Sequence, residues 1–224
     1  MQMLSKAATR IGYPWKNNRG IQYDIASFDS TGAATMENGN WHWKLLTADI
    51  TEKQTPFSLF PGILREFVVA DGDGVVLNIN GIENQCPCGS ITRFKGDADT
   101  NCELMNGPVK ALNLIVREGG EEYFFKTFDA ASGELTIDIN PCIVVAIKGN
   151  AAIRTSDCLI VASLELLDAI QVDSCFVLQI GTIAVFKISP TTTDLRADGS
   201  IRLVKDAEKT PQTQSVEFHN HLTR

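Results

Sequence analysis

Basic and amide side chains at five positions could together bind a small anion. They are Lys16, Asn17, Arg65, Asn113 and Arg117. An arginine guanidinium can hold a carboxylate through two parallel hydrogen bonds, and a lysine adds a point charge. The asparagines offer donors and acceptors, which suits the edge of an amide or an imidazole. We therefore predict a pocket for a carboxylate, although each cation could instead be a solvated surface charge.

One aromatic and two acidic residues accompany these side chains. Trp15 directly precedes Lys16, and an aromatic ring beside a cation can form the floor of a pocket or belong to the core. Asp24 and Asp49 could orient the cations, act as a general base, or form structural ion pairs. We count Trp15 and Asp49 among the ligand-binding residues and predict no catalytic residue.

The three histidines do not form a recognisable metal site. His42 is isolated, whereas His219 and His221 have the i, i+2 spacing that places both side chains on one face of a strand. These two lie close to the C-terminus, without evident carboxylate or histidine partners. We therefore predict neither a metal nor a cofactor.

The cysteines and serines suggest no nucleophile. Cys86-Pro87-Cys88 is the one close cysteine pair; it could be a redox or metal pair, but we favour a turn with two incidental thiols. Cys102 and Ser58 are conceivable nucleophiles, yet no base can be assigned to either. The sequence contains neither a Gly-x-Ser-x-Gly motif nor a P-loop.

The composition is that of an acidic globular protein. The chain has 224 residues, a mass of 24.5 kDa, a formal net charge of -7 and a pI near 5.0. Without a basic excess, general binding of nucleic acid is disfavoured. We find no secretory signal, no apolar run near the roughly 20 residues of a membrane span, and no disulfide scaffold. We therefore expect a cytoplasmic protein with no nucleic-acid or membrane partner.

Strand-like patterns dominate the chain. Residues 41–45 alternate in polarity, which predicts a strand with Trp41, Trp43 and Leu45 on one face. Residues 65–79 hold two strand-like runs around an Asp-Gly-Asp-Gly turn and predict a hairpin; residues 163–170 fit a short helix or a strand. Many short strands at about 8–12 residue spacing indicate an all-β barrel or sandwich. The other predicted strands are Ala111–Val116, Tyr123–Phe128, Leu135–Ile139, Ile143–Ile147, Leu159–Ser163, Phe176–Ile180 and Ala184–Ile188.

A composition shift near Glu118-Gly119-Gly120-Glu121-Glu122 predicts a junction between two β units. We place an N-terminal barrel at residues 1–118 and a C-terminal barrel at residues 119–224. The second unit ends in a polar extension from Ser189 to Arg224, with one predicted strand at Ile201–Val204.

Four segments of the first half share their order with one protein family. The most specific is Pro56-Phe57-Ser58-Leu59-Phe60-Pro61-Gly62-Ile63-Leu64-Arg65, followed by Gly72-Asp73-Gly74-Val75. The others are Pro14-Trp15-Lys16-Asn17-Asn18-Arg19-Gly20 with Ile25-Ala26, Trp43-Lys44-Leu45 with Ala48-Asp49-Ile50, and Phe94-Lys95-Gly96-Asp97 with Gly107-Pro108-Val109 and Leu112-Asn113-Leu114. Across residues 13–117 the chain therefore resembles the HutD/Ves family.

The resemblance implies a bicupin, in which two RmlC-like β-barrels of the jelly-roll type pack together. It also implies an association with histidine utilisation or stress-induced expression, without a defined reaction. A metal-free pocket with lysine and arginine would suit an intermediate of histidine breakdown, such as urocanate or formylglutamate, in a regulatory role. Cupins often form homodimers, so a homodimer is expected. The chain departs from the family pattern in the expected pocket at Asn18, Arg19, Gln22 and Ala111.

Two other functions stay open at this point. One is a cofactor-independent isomerase or hydrolase acting on a small acid, with Asp24, Asp49 or Lys16 as the acid or base. The other is a structural or interaction protein, which a filled barrel without a cavity would favour.

Overall fold

A computed structural model describes residues 1–15, 19–29, 41–120, 122–188, 194–195 and 201–202, and most of these residues lie in strands. The first half contains β1 (Gln2–Ser5), β2 (Gly12–Pro14), β3 (Ile21–Asp29), β4 (Trp41–Ile50), β5 (Gln54–Pro56), β6 (Ile63–Asp71), β7 (Val75–Ile79), β8 (Ile82–Cys86), β9 (Ile91–Lys95), β10 (Thr100–Leu104) and β11 (Val109–Arg117). The second half contains β12 (Tyr123–Asp129), β13 (Leu135–Ile137), β14 (Cys142–Thr155), β15 (Val161–Leu164), β16 (Ala169–Val172), β17 (Phe176–Ile188), β18 (Asp194–Leu195) and β19 (Ile201–Arg202). A short 3-10 helix, Ala7–Thr9, follows β1. Within the described ranges, no helix combines the length and the apolar character needed to cross a membrane.

Two antiparallel sheets form the first half of the fold. The six-stranded sheet has the order β2-β3-β4-β11-β6-β9, and the four-stranded sheet has the order β5-β10-β7-β8. Their facing sides enclose an apolar core that includes Phe67 and Val69 from the larger sheet and Leu77 and Cys102 from the smaller one, all fully buried. This two-sheet arrangement confirms the predicted all-β, jelly-roll type of fold.

Side-chain alternation gives the six-stranded sheet two buried faces. On β4, Leu46 and Ala48 face the interior of the first-half sandwich, whereas Trp43 and Leu45 face the second half. There the Trp43 and Phe186 rings meet edge to face, with their centroids 4.8 Å apart. One continuous apolar core therefore joins the six-stranded sheet to the sheet of the second half.

The second half is a seven-stranded sheet that bends around a core of its own. Its order is β1-β16-β14-β17-β12, with β13 beside β17 and β15 beside β14. The two long strands bend near Gly149 (φ 112°) and Gly181 (φ 88°), where the register between them shifts. A Cβ atom on Gly181 would overlap the Asn150 carbonyl oxygen, so glycine is required at this bend.

Several local expectations differ from the structure. Residues 65–79 are not a hairpin, because β6 pairs with β9 and β11 whereas β7 pairs with β8 and β10. The turn at residues 71–74 therefore carries the chain from one sheet to the other. The predicted strands Phe176–Ile180 and Ala184–Ile188 are two arms of β17. Of the two alternatives for residues 163–170, the helix is not formed, and the segment contains the end of β15, a turn and the start of β16. Trp41 packs with Leu46, Ile63 and Ile115, apart from Trp43.

The N-terminal strand lies in the sheet of the second half, where Gln2 pairs with Gln171. The division at residues 1–118 and 119–224 stays a prediction. Of the polar extension the structure describes β18 and β19, which pair with each other. The remainder of the predicted strand Ile201–Val204 lies outside the described residues.

Candidate functional site

A cavity of about 380 Å³ lies inside the first-half sandwich. The inner face of the six-stranded sheet forms one wall, and residues 57–60 between β5 and β6 form part of the opposite border. The lining residues are Pro14, Trp15, Gln22, Leu46, Ala48, Ile50, Phe57, Ser58, Leu59, Phe60, Arg65, Phe67, Asn113 and Ile115. A mostly apolar cavity of this size with a few polar groups suits a small organic ligand.

Arg65 is the one charged side chain among the described residues that line the cavity. Its Nε is buried without a hydrogen-bond partner, and its Nη2 lies 3.5 Å from Asn113 Oδ1, at the outer limit of a hydrogen bond. In the described part of the chain, no carboxylate pairs with this guanidinium. Burial lowers the pKa of Arg65 to about 10, so the side chain is still charged at neutral pH.

Aromatic rings surround the guanidinium. Its Cζ lies 4.6 Å from the ring centroid of Phe57 and 5.1 Å from that of Phe94, so both rings make cation–π contacts. Trp15 meets Phe57 edge to face at 6.2 Å, and the Trp15 backbone N–H donates a 2.9 Å hydrogen bond to the Gly20 carbonyl. A Cβ on Gly20 would lie 2.8 Å from the Trp15 ring, so glycine allows the ring to lie against the Gly20 backbone.

Three neutral polar side chains, Gln22, Ser58 and Asn113, complete the polar lining. Asn113 is buried on β11, next to β6, and its amide oxygen faces Arg65. Gln22 lies on β3, three strand positions from β6, and no described residue forms a hydrogen bond with its side-chain amide. The cavity wall between Asn113 and Gln22 is apolar and includes Leu46, Ala48 and Ile50.

The residue next to Arg65 anchors β6 from the other face of the sheet. Glu66 is 1% exposed, and its Oε1 accepts hydrogen bonds from Arg93 Nε at 2.6 Å and from the Tyr123 hydroxyl at 2.8 Å. Burial, together with the nearby Glu66 carboxylate, raises the pKa of Tyr123 well above its usual value. This network ties β6 to β9 and to β12, and so fixes the backbone that carries Arg65.

The structure brings together three of the seven residues predicted to bind a ligand. Trp15, Arg65 and Asn113 all line the cavity. Lys16 and Asn17 lie outside the described residues, so their part in the site stays a prediction.

Arg117 and Asp49 do not line the cavity. Arg117 lies at the end of β11, where its Nε donates a 2.7 Å hydrogen bond to the Trp41 carbonyl. Asp49 points to the sheet face opposite Ala48 and accepts hydrogen bonds from the Tyr23 hydroxyl at 3.1 Å and from Lys110 at 3.0 Å. Arg117 and Asp49 therefore do not lie with Arg65 in the cavity lining, contrary to the prediction.

Two features of this region are not evident from the sequence. Gln22 entered only as a departure from a family pattern, although it lines the cavity. Lys44, which the alternation of residues 41–45 puts on the face opposite Trp43, is 2% exposed and pairs with Asp24 at 2.9 Å. Asp24, considered above as an acid or base, is thus engaged in an ion pair. The lysine's burial follows from strand pairing, which its local sequence does not reveal.

The described residues contain no group of three or more His, Cys, Asp or Glu side chains placed to hold a metal ion. His42 is exposed beside the Phe28 ring, and His219 and His221 lie outside the described residues. All six cysteines are free thiols. Cys86 is fully buried in the apolar core, and burial raises its pKa, so it acts as a core side chain.

Comparison with known proteins relates this fold to others. The HutD family model matches residues 7–190. The conserved protein of unknown function PA5104 from Pseudomonas aeruginosa PAO1 superposes with a TM-score of 0.69 at 22% identity, covering 83% of this chain and 97% of that chain. HutD from Pseudomonas fluorescens SBW25 gives 0.66 at 23% identity, covering 82% of this chain and 96% of that one. Protein Ylba from E. coli gives 0.53 at 10% identity, covering 83% and 89%.

At these identities the structural likeness concerns the fold. It supports a jelly-roll fold of the cupin type, in which the sheets are not closed into barrels. No curated protein matches the chain.

Proposed function

Because this chain belongs to the HutD family, we propose that it binds a small anionic metabolite in the first-half cavity, without a metal and in a regulatory role. The ligand is a carboxylate such as urocanate or formylglutamate, the class that the family's association with histidine utilisation suggests. A cytoplasmic homodimer remains part of the proposal.

The guanidinium of Arg65, with which no described carboxylate pairs, carries this proposal. A charge removed from water is costly unless it is paired and hydrogen-bonded, yet the buried Arg65 Nε has no partner. A ligand carboxylate would supply both the missing acceptor and the missing negative charge. Arginine and carboxylate match in shape as well as in charge, since two parallel hydrogen bonds form between them.

The remaining lining favours binding over proton transfer. Catalysis by an acid or base works best when the group titrates near the working pH. Among the described lining residues, the titratable side chain is Arg65, whose lowered pKa of about 10 still leaves it protonated at neutral pH. Asp24 and Asp49, the carboxylates considered for catalysis, lie outside the lining and pair with lysines.

Thermal unfolding in the presence of small carboxylates tests the proposal. A ligand at a hundredfold excess over its Kd stabilises the folded state by about 2.7 kcal/mol, which raises the Tm of a chain of this size by roughly 5–10 °C. We expect such a shift with urocanate or formylglutamate, unchanged by EDTA. Absence of a shift with every carboxylate, or a shift that EDTA abolishes, would contradict the proposal.

The affinity for a carboxylate is expected to be nearly constant between pH 6 and pH 9 (roughly twofold variation). Both partners keep their charge there, because the lowered pKa of Arg65 is about 10 and free carboxyl groups titrate near pH 4. Above about pH 10 the guanidinium loses its proton and binding should weaken. Quenching of Trp15 fluorescence reports binding, with Trp15→Phe as the control. A tenfold change between pH 6 and pH 8 would point to another titrating group.

A further inference from the structure

We propose that the Phe57 side chain controls access to the Arg65 guanidinium. Its ring lies over the guanidinium in the structure, and we infer that it rotates away when a carboxylate binds. The inference rests on the proposed function, because Arg65 must hold the carboxylate. It goes further by naming the movement that admits the ligand and the residue that makes it.

One side of the guanidinium is shielded. Arg65 as a residue is half-buried and lines the cavity, whereas its Nε is buried and has no hydrogen-bond partner among the described residues. A carboxylate that binds this side of the guanidinium through two parallel hydrogen bonds needs Nε together with a terminal nitrogen. Because Nε is closed to solvent, a neighbouring group must move before this pair can form.

Two rings contact the guanidinium, and they are attached differently. Phe94 is buried on β9 and pairs directly with Arg65 across two neighbouring strands. Phe57 is half-buried, lines the cavity and follows the end of β5, outside any strand. Its ring centroid is also the nearer one to Arg65 Cζ, at 4.6 Å against 5.1 Å. Phe57 is therefore the ring that can leave the guanidinium while the sheet stays intact.

The backbone around Phe57 is anchored, so the movement is one of the side chain. The Phe57 N–H donates a 2.9 Å hydrogen bond to the Thr100 carbonyl, and the Phe60 N–H donates a 2.7 Å hydrogen bond to the Gly96 carbonyl. A side chain on a fixed backbone changes position by rotation between staggered rotamers. The cavity of about 380 Å³ borders the ring and gives it space to rotate.

Binding of a carboxylate favours the rotated position. In the structure the ring face of Phe57 makes a cation–π contact with the buried charge. A carboxylate neutralises that charge and accepts two charge-assisted hydrogen bonds, which are stronger than the contact with a neutral ring. The ring therefore covers the guanidinium until an acceptor with two suitably placed oxygens replaces it.

Crystal structures of the protein alone and in complex with formylglutamate or urocanate test the position of the ring. In the complex we expect a different χ1 rotamer of Phe57, with its ring centroid farther from Arg65 Cζ than the roughly 6 Å limit of a cation–π contact. Phe94 should keep its place. A complex in which the carboxylate binds Arg65 while the Phe57 ring has not moved overturns the inference.

Temperature-jump relaxation of Trp15 fluorescence tests the movement in solution, because the Trp15 ring meets that of Phe57 edge to face at 6.2 Å. If the ring must rotate before the carboxylate binds, the observed rate levels off as the concentration of formylglutamate or urocanate rises. Phe57→Leu should raise this limiting rate about five- to tenfold, since leucine makes no cation–π contact with the guanidinium. Phe94→Leu, which removes the other ring, should change the limiting rate by less than about twofold.

The two variants separate control of access from general loosening of the site. A wild-type rate that does not level off, or a limiting rate that Phe57→Leu and Phe94→Leu raise equally, overturns the inference. Should a variant fail to fold, the two crystal structures decide. If neither formylglutamate nor urocanate binds the wild type, it is the proposed function that fails.

Discussion

Replacing Arg65 with methionine is expected to weaken the binding of a carboxylate by about 100-fold. Removing one partner of a buried, hydrogen-bonded charge pair costs about 2–5 kcal/mol of binding free energy, and every tenfold change in Kd corresponds to about 1.4 kcal/mol. Arg65 is the charged residue of the described lining, so no described neighbour can replace it. Titration calorimetry of wild type and variant with the same carboxylate measures the effect.

The same substitution is expected to leave the unliganded protein as stable as the wild type, or more stable. Methionine keeps an unbranched, polarisable chain against Phe57 and Phe94, and it removes a desolvated cation with which no carboxylate of the described residues pairs. Each kcal/mol gained would raise the Tm by about 2–4 °C. If Arg65 serves binding, its replacement should therefore keep or raise the Tm of the unliganded protein. If Arg65 were structural, its replacement would lower that Tm.

Arg93→Met is the matched control for Arg65→Met. Arg93 is an arginine on a neighbouring strand that does have a partner, the buried Glu66. Its removal leaves that carboxylate with fewer donors, so the Tm should fall, while carboxylate binding should change by less than about twofold because Arg93 is not in the cavity lining. The reverse pattern, with Arg65→Met destabilising the protein and sparing binding, would make Arg65 structural.

Truncation of Trp43 to alanine is expected to lower the free energy of unfolding by about 3–5 kcal/mol. Trp43 is 2% exposed, and its ring meets that of Phe186 across the contact between the two halves. Loss of the ring removes apolar burial and leaves a void between two rigid sheets. Urea unfolding of the wild type and the variant measures the loss.

His42→Ala provides the control on the same strand. His42 is exposed, so its truncation should change the free energy of unfolding by no more than about 0.5 kcal/mol. Because a continuous core joins the halves, probes in both should report one transition in the wild type. Two separate transitions in the wild type, or a negligible effect of Trp43→Ala, would contradict a shared core.

Local pattern in the sequence predicts most of the strands, because alternation and turn residues are local properties. Residues 41–45 and 143–147 lie in β4 and β14 as predicted. Pairing of strands is different, since it depends on contacts between distant residues. The Asp-Gly-Asp-Gly segment at residues 71–74 has the composition of a hairpin turn, yet its flanking strands lie in different sheets. The seven-stranded sheet likewise contains β1, which no local pattern indicates.

The candidate site shows the same division between local and distant information. Arg65 was identified through the family-like segment that ends at it. Asp49 was misplaced, although alternation from Ala48 would have put it on the opposite face of β4. The burial of Lys44 and the exposure of Arg117 depend on which strands lie beside them. The sequence alone therefore indicates Arg65, Trp15 and Asn113, but not Gln22 or the apolar wall of the cavity.

The central claim is that Arg65 binds the carboxylate of a ligand inside the cavity. A crystal structure of the protein in complex with the carboxylate that raises its Tm most tests this claim directly. We expect the two carboxylate oxygens to lie about 2.7–2.9 Å from Arg65 Nε and Nη2, as in a two-bond arginine–carboxylate pair. The buried Nε, for which the described part of the chain supplies no acceptor, would then be satisfied. A ligand bound outside the cavity, or inside it with its carboxylate directed away from Arg65, would contradict this account.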